Sequence, residues 1–484
     1  MKQGPIARSS SIEQPNAEQG VPLSSLRAIF IAAVLIFTQL VQIAPFGAGV
    51  AAAASIGHTL NASESQSAWI AASYPLTQGA FVLAGGRVGA VYGHKHTFSV
   101  ASLWWVIWTL ISGFAPNIIA LSCFRGLAGV GGAFMVPNAI ALIGITFPPG
   151  EIRNMTIGLF GAMAPVGSSL GNFLGALFVQ LTKWEYLFFC LAIVGTVVFT
   201  AAWIFLPAED QPLDPKGSID YIGAYLGIGG LVLFNFVWNQ APAVGWATPY
   251  EYALLMVAVL HFAGFALWEK QYAKQPIMPL DIWAAPSFFS LLVVTLFCFM
   301  STGISIWYFS IWMQTARHWS PLLTSAGFVP LGIMGAVGSV AAAWLIPRLA
   351  AQYILAIGAT CMTVSCILFA TMPAEQLYWA QAFPAMICLA FCPDFVFTAA
   401  QIITSNSVRR EHQGIAGSLI GTLMTYGMST GLGFAGTVEM KVNNHGVDIV
   451  KGYRGAFYLA IGLAVTSLVL DLAFVRMPKD TRGA

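Results

Sequence analysis

The stretch LRAIFIAAVLIFTQLVQIAPFGAGV, residues 26–50, decides the fold. After Arg27 it carries no charged residue through Val50. About 20 mostly apolar residues suffice to cross ~30 Å of hydrocarbon. Apolar runs of this kind recur to about Val475. Across 484 residues, apolar side chains make up 57% and charged ones 8%, with a mean hydropathy of +0.75. A water-soluble domain has no interior large enough to hide that surface. The first run begins too late and runs too long for a cleaved signal peptide, so it reads as a retained span. The polar residues before it, with Ser9, Ser10, Ser11, Pro15 and Pro22, read as a disordered tail.

The same criterion predicts spans at 27–50, 67–85, 97–114, 118–147, 155–181, 185–206, 219–240, 250–268, 286–314, 320–346, 352–372, 377–404, 412–438 and 453–475. All fourteen are expected to be helices, because lipid offers no partner to unpaired backbone groups and no barrel-like alternation is present. With the N-terminus inside, 15 of the 21 basic residues fall on the inner side and 5 on the outer, and Arg125 lies within a span. The excess of inner bases places both termini in the cytosol. The seven cysteines all lie in apolar runs, which favours small buried residues over disulfides or metal ligands. Nineteen acids nearly cancel the bases, so charge points to no nucleic-acid partner. Asn61-Ala62-Ser63 forms a glycosylation sequon in the first outer loop, which is short.

The chain echoes itself at about 260 residues. Glu151 is matched by Glu411, Arg87 by Arg348 and Gly158 by Gly417. This predicts two six-span halves, residues 27–206 and 286–475. Segment 207–285 inserts two further spans between them, and tails lie at 1–26 and 476–484. Parallel halves with a site at their interface near mid-membrane are a known transporter design.

Three motifs lie on the expected spans in order. The loop after span two carries Gly85, Gly86, Arg87, Gly89, Ala90, Tyr92, Gly93, His94 and Lys95. Span four carries Leu121, Arg125, Ala128, Gly129, Gly131 and Gly132, and span five carries Gly161, Ala164, Pro165, Gly167, Gly171 and Gly175. Together they resemble the major facilitator superfamily. In that family the first is a gating loop, the second holds an intramembrane arginine and the third is the antiporter motif. The sequence departs at Ala90, where the family usually has aspartate, and at Ala164, where it usually has glycine. The stretches from Arg410 to Leu419 and from Gly431 to Glu439 resemble the fungal fourteen-span branch of drug:proton antiporters, and within it the aminotriazole-resistance and boron-efflux group. The resemblance covers nearly the whole chain. It implies an all-α polytopic membrane protein of the major facilitator fold, with fourteen transmembrane helices.

Two charges lie well inside spans, Arg125 and Asp394, and a charge there is expensive to keep without use. Asp394 follows Pro393, which can open its helix locally. It is the candidate proton carrier, the alternative being a fixed pair between two helices. Arg125 neutralises a carboxylate, holds an anionic substrate, or serves helix packing. Many drug:proton antiporters carry an aspartate on span one, where this chain has Gln39 and Gln42. Tyr74 and Gln78 on span two, Asn138 and Asn172 on spans four and five, and Gln401 and Tyr426 on spans twelve and thirteen complete a candidate cavity lining. In the superfamily these spans line the cavity, and uncharged amides suit neutral polar cargo. Trp307 offers a ring on which a flat molecule can stack. Glu439 is placed at the cavity mouth, Asp220 as a helix cap and Asp471 as an anchor beside Arg476.

The expected function is proton-coupled export of small toxic organics or a secondary metabolite, by alternating access, across a fungal plasma membrane. The alternatives are a transporter of small inorganic solutes such as borate or ammonium, and a membrane sensor without turnover. No nucleotide-binding loop, catalytic constellation or cofactor motif stands out, so the chain is not read as an enzyme. The expected partners are a small-molecule substrate, protons and the lipid bilayer, with the protein a monomer. A tag fused to the C-terminus is expected to resist labelling in intact cells and to label after permeabilisation. Labelling from outside would overturn the topology.

Overall fold

A computed structural model describes residues 25–476, apart from 149, 208–210, 279–281, 284, 286, 409–412 and 444–446. Nearly all of the 1–26 tail, the 476–484 tail beyond Arg476, and the Arg410 to His412 portion of the branch resemblance lie outside the described residues. So does the match of Glu151 to Glu411.

The described chain is helical, without a strand. Its α-helices are α1 (Ser25–Thr59), α2 (Glu64–Tyr92), α3 (His94–Ser112), α4 (Ile118–Thr146), α5 (Glu151–Leu181), α6 (Glu185–Phe205), α7 (Tyr221–Val244), α8 (Pro249–Gln271), α9 (Phe288–Ile311), α10 (Pro321–Ala326), α11 (Val329–Leu345), α12 (Ala351–Thr371), α13 (Ala382–Ser407), α14 (Gln413–Val442) and α15 (Ile449–Phe474). The single tenth span expected at 320–346 is α10 and α11 in succession. α1 runs nine residues past its expected end, to Thr59, and α13 starts later than expected, at Ala382. Ser63 caps α2 in a reciprocal capping box with Gln66, at 3.2 Å and 2.9 Å. The hydroxyl of the sequon is therefore engaged in a helix start. Asp220 caps α7 through Gly223 N–H at 2.9 Å, as its position predicts.

Eleven of these segments are long and apolar enough to cross a membrane on that ground alone, α10 and α11 counting as one. α2, α3 and α14 are not among them. For α2 and α14 the reason is packing. They lie against each other, and a Cβ on Gly79 of α2 would run into the backbone of Tyr426 on α14. A helix wrapped by other helices needs small and polar residues for contact rather than lipid-facing bulk.

The packing repeats. In the first half α1 packs on α5 and α6, α2 on α4, and α3 on α4 and α6. In the second half α9 packs on α14 and α15, α11 on α13, and α12 on α13 and α15. The 260-residue echo is thus an echo of helix pairs. α7 and α8 pack on each other, and α7 also covers α2 and α14. The halves meet along α2 with α14 and along α5 with α10 and α11. The face on which α1 starts and α15 ends is the near face, and the opposite one the far face.

Glycines set the tightest of these contacts. Gly167, Gly171 and Gly175 on α5 sit directly on the backbone of Leu40, Ala44 and Ala48 on α1, one turn apart on each helix. Gly303 on α9 meets Met428 on α14, and Gly431 on α14 meets Met300 on α9. Gly161, although part of the same motif as Gly167 and Gly171, faces open space. Gly171→Val is therefore expected to force α1 from α5, at a cost of about 1–3 kcal/mol or more. A lower Tm in detergent checks this. Gly161→Val should leave Tm near the parent value.

Candidate functional site

Four predicted residues come together where α1, α2 and α4 meet. Gln42 Nε2 donates to Gln39 Oε1 at 3.0 Å, and Gln78 Nε2 donates to Gln42 Oε1 at 2.9 Å. Tyr74 Oη donates to the Gln42 carbonyl at 2.5 Å and accepts from Trp105 Nε1 at 3.0 Å. All four are buried. Gly132 of α4 leaves room for them, since a Cβ there would crowd Tyr74 Oη. The chain of amides leaves one buried acceptor, Gln78 Oε1, without a partner. A buried acceptor of this kind is costly unless something donates to it.

Arg125 lies beside this cluster, fully buried. Its Nε donates to the Ile70 carbonyl at 2.7 Å and its Nη2 to the Pro45 carbonyl at 2.8 Å, while Nη1 has no partner. The Phe188 ring lies 5.9 Å from the guanidinium carbon. Gly49 is the residue that makes room for the guanidinium. No carboxylate pairs with it: among the described residues the one ion pair is Arg87 with Asp214. The reading of Arg125 as neutralising a protein carboxylate is thus corrected. Carbonyls of α1 and α2 hold it instead.

Asp394 lies in the other half. Its Oδ1 accepts from Ser339 Oγ of α11 at 2.7 Å, so α13 and α11 are tied by a hydrogen bond rather than an ion pair. Gly338 and Gly335 of α11 make the approach possible, and a Cβ on Gly335 would lie 2.6 Å from Pro165 Cβ of α5. The carboxylate therefore sits directly behind the α5–α11 seam between the halves, next to the antiporter-motif proline.

The turn between α2 and α3 lies at Gly93, whose φ of 98° favours glycine. Gly89 is needed for space, because a Cβ there would run into Asn138 and His94. Asn138 Nδ2 donates to the carbonyls of Gly85 at 3.0 Å and Phe134 at 2.6 Å, and its Oδ1 meets His94 Nδ1 at 2.7 Å. Asn138 is thus a clamp on this turn and not part of the cavity lining expected for it. Gly86 is looser, with Ser418 and Pro137 as neighbours. Lys95 Nζ donates to the Leu206 carbonyl at the end of α6 at 2.5 Å, and burial holds its ammonium below the usual lysine range. Arg87 Nη1 meets Asp214 Oδ2 at 2.9 Å, and Nη2 donates to Gln275 Oε1 at 2.8 Å. The Asp214 N–H donates to the carbonyl of Ala90 at 2.9 Å. An acid from the α6–α7 linker thus stands beside the position where the family's own acid is missing.

The remaining predicted residues are dispersed. Asn172 is buried on α5, near Gly47 of α1, with its Oδ1 unpartnered. Gln401 Nε2 ties α13 to α14 through the Gly417 carbonyl at 3.0 Å. Tyr426 Oη donates to Leu231 of α7 at 2.8 Å, which turns it toward the inserted pair. Trp307 is buried in the apolar core of the second half. Asn61 is exposed with φ of 52° in the far-face turn. Asp471 does not reach out as an anchor: it is buried, and neither carboxylate oxygen has a partner.

Sequence reasoning missed a set of far-face ties. Tyr453 Oη of α15 donates to Glu64 Oε1 of α2 at 2.6 Å, and Tyr308 Oη of α9 donates to Glu439 Oε2 of α14 at 2.7 Å. Ser310 Oγ donates to the Val50 carbonyl at 3.3 Å, and Gln314 Nε2 to the Ala51 carbonyl at 3.4 Å. Glu64, read as a loop residue, is the first residue of α2. Its only signal was the capping pattern around Ser63. Tyr308 and Tyr453 had none, since tyrosines near span ends are common.

The Major Facilitator Superfamily family model matches residues 29–432. The low affinity ammonium transporter of Saccharomyces cerevisiae is 38% identical over 454 residues, 92% of this chain and 87% of that protein. Efflux pump terJ of Aspergillus terreus is 34% identical over 464 residues, 94% of this chain and 89% of that protein. The aminotriazole resistance protein of S. cerevisiae is 33% identical over 409 residues, 83% of this chain and 76% of that protein.

The Arg87–Asp214 contact is partly exposed and contributes at most about 1 kcal/mol. Asp214→Asn is expected to loosen the α6–α7 linker and speed tryptic cleavage at Lys216 several-fold. Adding Ala90→Asp should slow it again by supplying an acid from the loop itself.

Proposed function

Because the chain belongs to the major facilitator superfamily and is a multi-pass membrane transporter, not an enzyme, we propose that it couples proton movement to export of small toxic organics or a secondary metabolite. The position of Asp394 carries this reading. It is the carboxylate well inside a span, and it lies behind the seam where α5 of one half meets α11 of the other. Alternating access separates such seams on one side at a time. As α5 moves off α11, water reaches Asp394, and a carboxyl group binds or releases its proton according to that access. The amides of Gln39, Gln42 and Gln78 form the cargo contact on the first half, with Arg125 beside them and Asn172 nearby on α5. The far-face ties of Glu64 and Ser310 describe a form closed on that side. The near face is the cytosolic one, by the distribution of bases, and the protein works as a monomer in a fungal plasma membrane.

A second reading is transport of ammonium or a similar small solute. The relationship to an ammonium transporter favours it, as does Gln78 Oε1, an unpartnered acceptor suited to an N–H donor. Competition by ammonium for export of an organic dye separates the two readings.

Asp394→Asn keeps size and polarity. It should reach the membrane at parental levels, lose uphill export driven by a pH gradient and keep downhill exchange. Full uphill export by a well-expressed variant would remove Asp394 from coupling. Gln39→Ala and Gln42→Ala should change the range of cargo at unchanged expression. Parental transport of every cargo by both variants would remove these amides from the site.

A further inference from the structure

A cavity of about 1000 Å³ opens at the far face of the second half, between the 316–334 segment and the α12–α13 connection. It is separate from the amide cluster, which belongs to α1, α2 and α4 of the first half. Its size is at the upper end of ligand pockets. Trp319, Tyr378, Trp379 and Phe383 wall it in succession, with ring centroids 5.8, 5.4 and 5.0 Å apart along the chain of neighbours. Tyr378 Oη is anchored to the Gly327 carbonyl at 2.9 Å. The backbone that forms one wall is unusual. A π-helical turn, Trp312–Ala316, precedes it, and His318 has φ of 53°. Such departures recur at functional sites.

The polar groups of the cavity are unevenly satisfied. Arg317 donates Nε to the Ala374 carbonyl at 2.7 Å and Nη2 to the Pro373 carbonyl at 3.0 Å. Its charge is thus met by carbonyls just beyond the C-terminus of α12, where a cation is favoured. Glu375 lines the same cavity and has no ion-pair partner among the described residues. The neighbouring Gln376 Oε1 is buried with no hydrogen-bond partner. The site therefore offers aromatic faces, an exposed carboxylate without an ion-pair partner among the described residues, and one buried acceptor without a hydrogen-bond partner. It lies at the far-face end of the spans, where tryptophan and tyrosine side chains are enriched in membrane proteins.

We propose that this cavity is a second ligand site, for a flat aromatic amphiphile bearing a positive charge and N–H donors. The rings stack on Trp319 and Trp379, the cation faces Glu375 and the tryptophan faces, and an N–H reaches Gln376. The site goes beyond the transport reading and stands whether or not the cargo binds at the amides.

The test uses the full chain in phosphatidylcholine nanodiscs, with rhodamine 6G as probe and fluorescence anisotropy as readout. Glu375→Gln and Gln376→Leu are each expected to raise Kd about tenfold. Met334→Trp, which puts a bulkier ring into the lining of the cavity, should weaken this binding about tenfold, and Met334→Ala, which leaves it open, should bind like the parent. Ile193→Ala, on an exposed face of α6 in the other half, should leave Kd unchanged. Parental binding by the three cavity variants, loss of binding in Met334→Ala, or loss in Ile193→Ala would each overturn the proposal. So would displacement of the dye when phosphatidylethanolamine, whose headgroup also carries N–H donors, replaces phosphatidylcholine, because the cavity would then be a lipid site.

Discussion

Direct contact of helix backbones is the interaction on which the rest depends. Lipid tails are as apolar as leucine, so helices in a bilayer gain little by burying apolar side chains on one another. They gain by close approach, and close approach needs the absence of a Cβ. Gly167, Gly171 and Gly175 let α5 lie on α1 over two turns, and Gly303 with Gly431 does the same for α9 and α14. With those pairs set, the polar side chains of α1, α2 and α4 meet in one place. The seam of α5 with α11 then falls next to Asp394.

The second theme is compensation for charge. Arg125 and Asp394 do not neutralise one another. Arg125 relies on two carbonyls, and Asp394 on one hydroxyl. Arg125 keeps Nη1 without a hydrogen-bond partner. At the turn between α2 and α3, an acid from outside the motif lies beside Ala90. Asp214 reaches the same turn through both its backbone and its carboxylate. The linker that leads to α7 is thus held on the end of α2.

The far-face ties show how little of an interface between halves can be seen along the chain. Glu64 and Tyr453 are almost 400 residues apart, at hydrogen-bond distance. Each looks ordinary where it stands: an acid at a helix start and a tyrosine near a span end. Asn138 and Tyr426 illustrate the converse. Both lie on spans expected to line a cavity, and both are turned away from it, one to clamp the gating loop and one to hold α7. Helical position within a span could not settle which side each residue faces, because those helices are buried on several sides.

The amino-acid sequence by itself determined that this chain is a helical membrane protein, where its long helices lie, that it is built of two halves with a pair inserted, and to which superfamily it belongs. Those properties follow from hydropathy, from the near-260-residue echo and from glycine-rich motifs, all of which are local or periodic. Hydropathy alone was weakest for α2 and α14, where burial among helices replaces lipid contact. Only the tertiary structure decided which polar residues meet: Gln39, Gln42, Tyr74 and Gln78 together, Arg125 on carbonyls, Asp394 behind Pro165, and Asp214 beside Ala90. Those are contacts between distant segments, set by helix rotation and by the close approach that particular glycines allow, and neither leaves a mark in the order of residues along one helix.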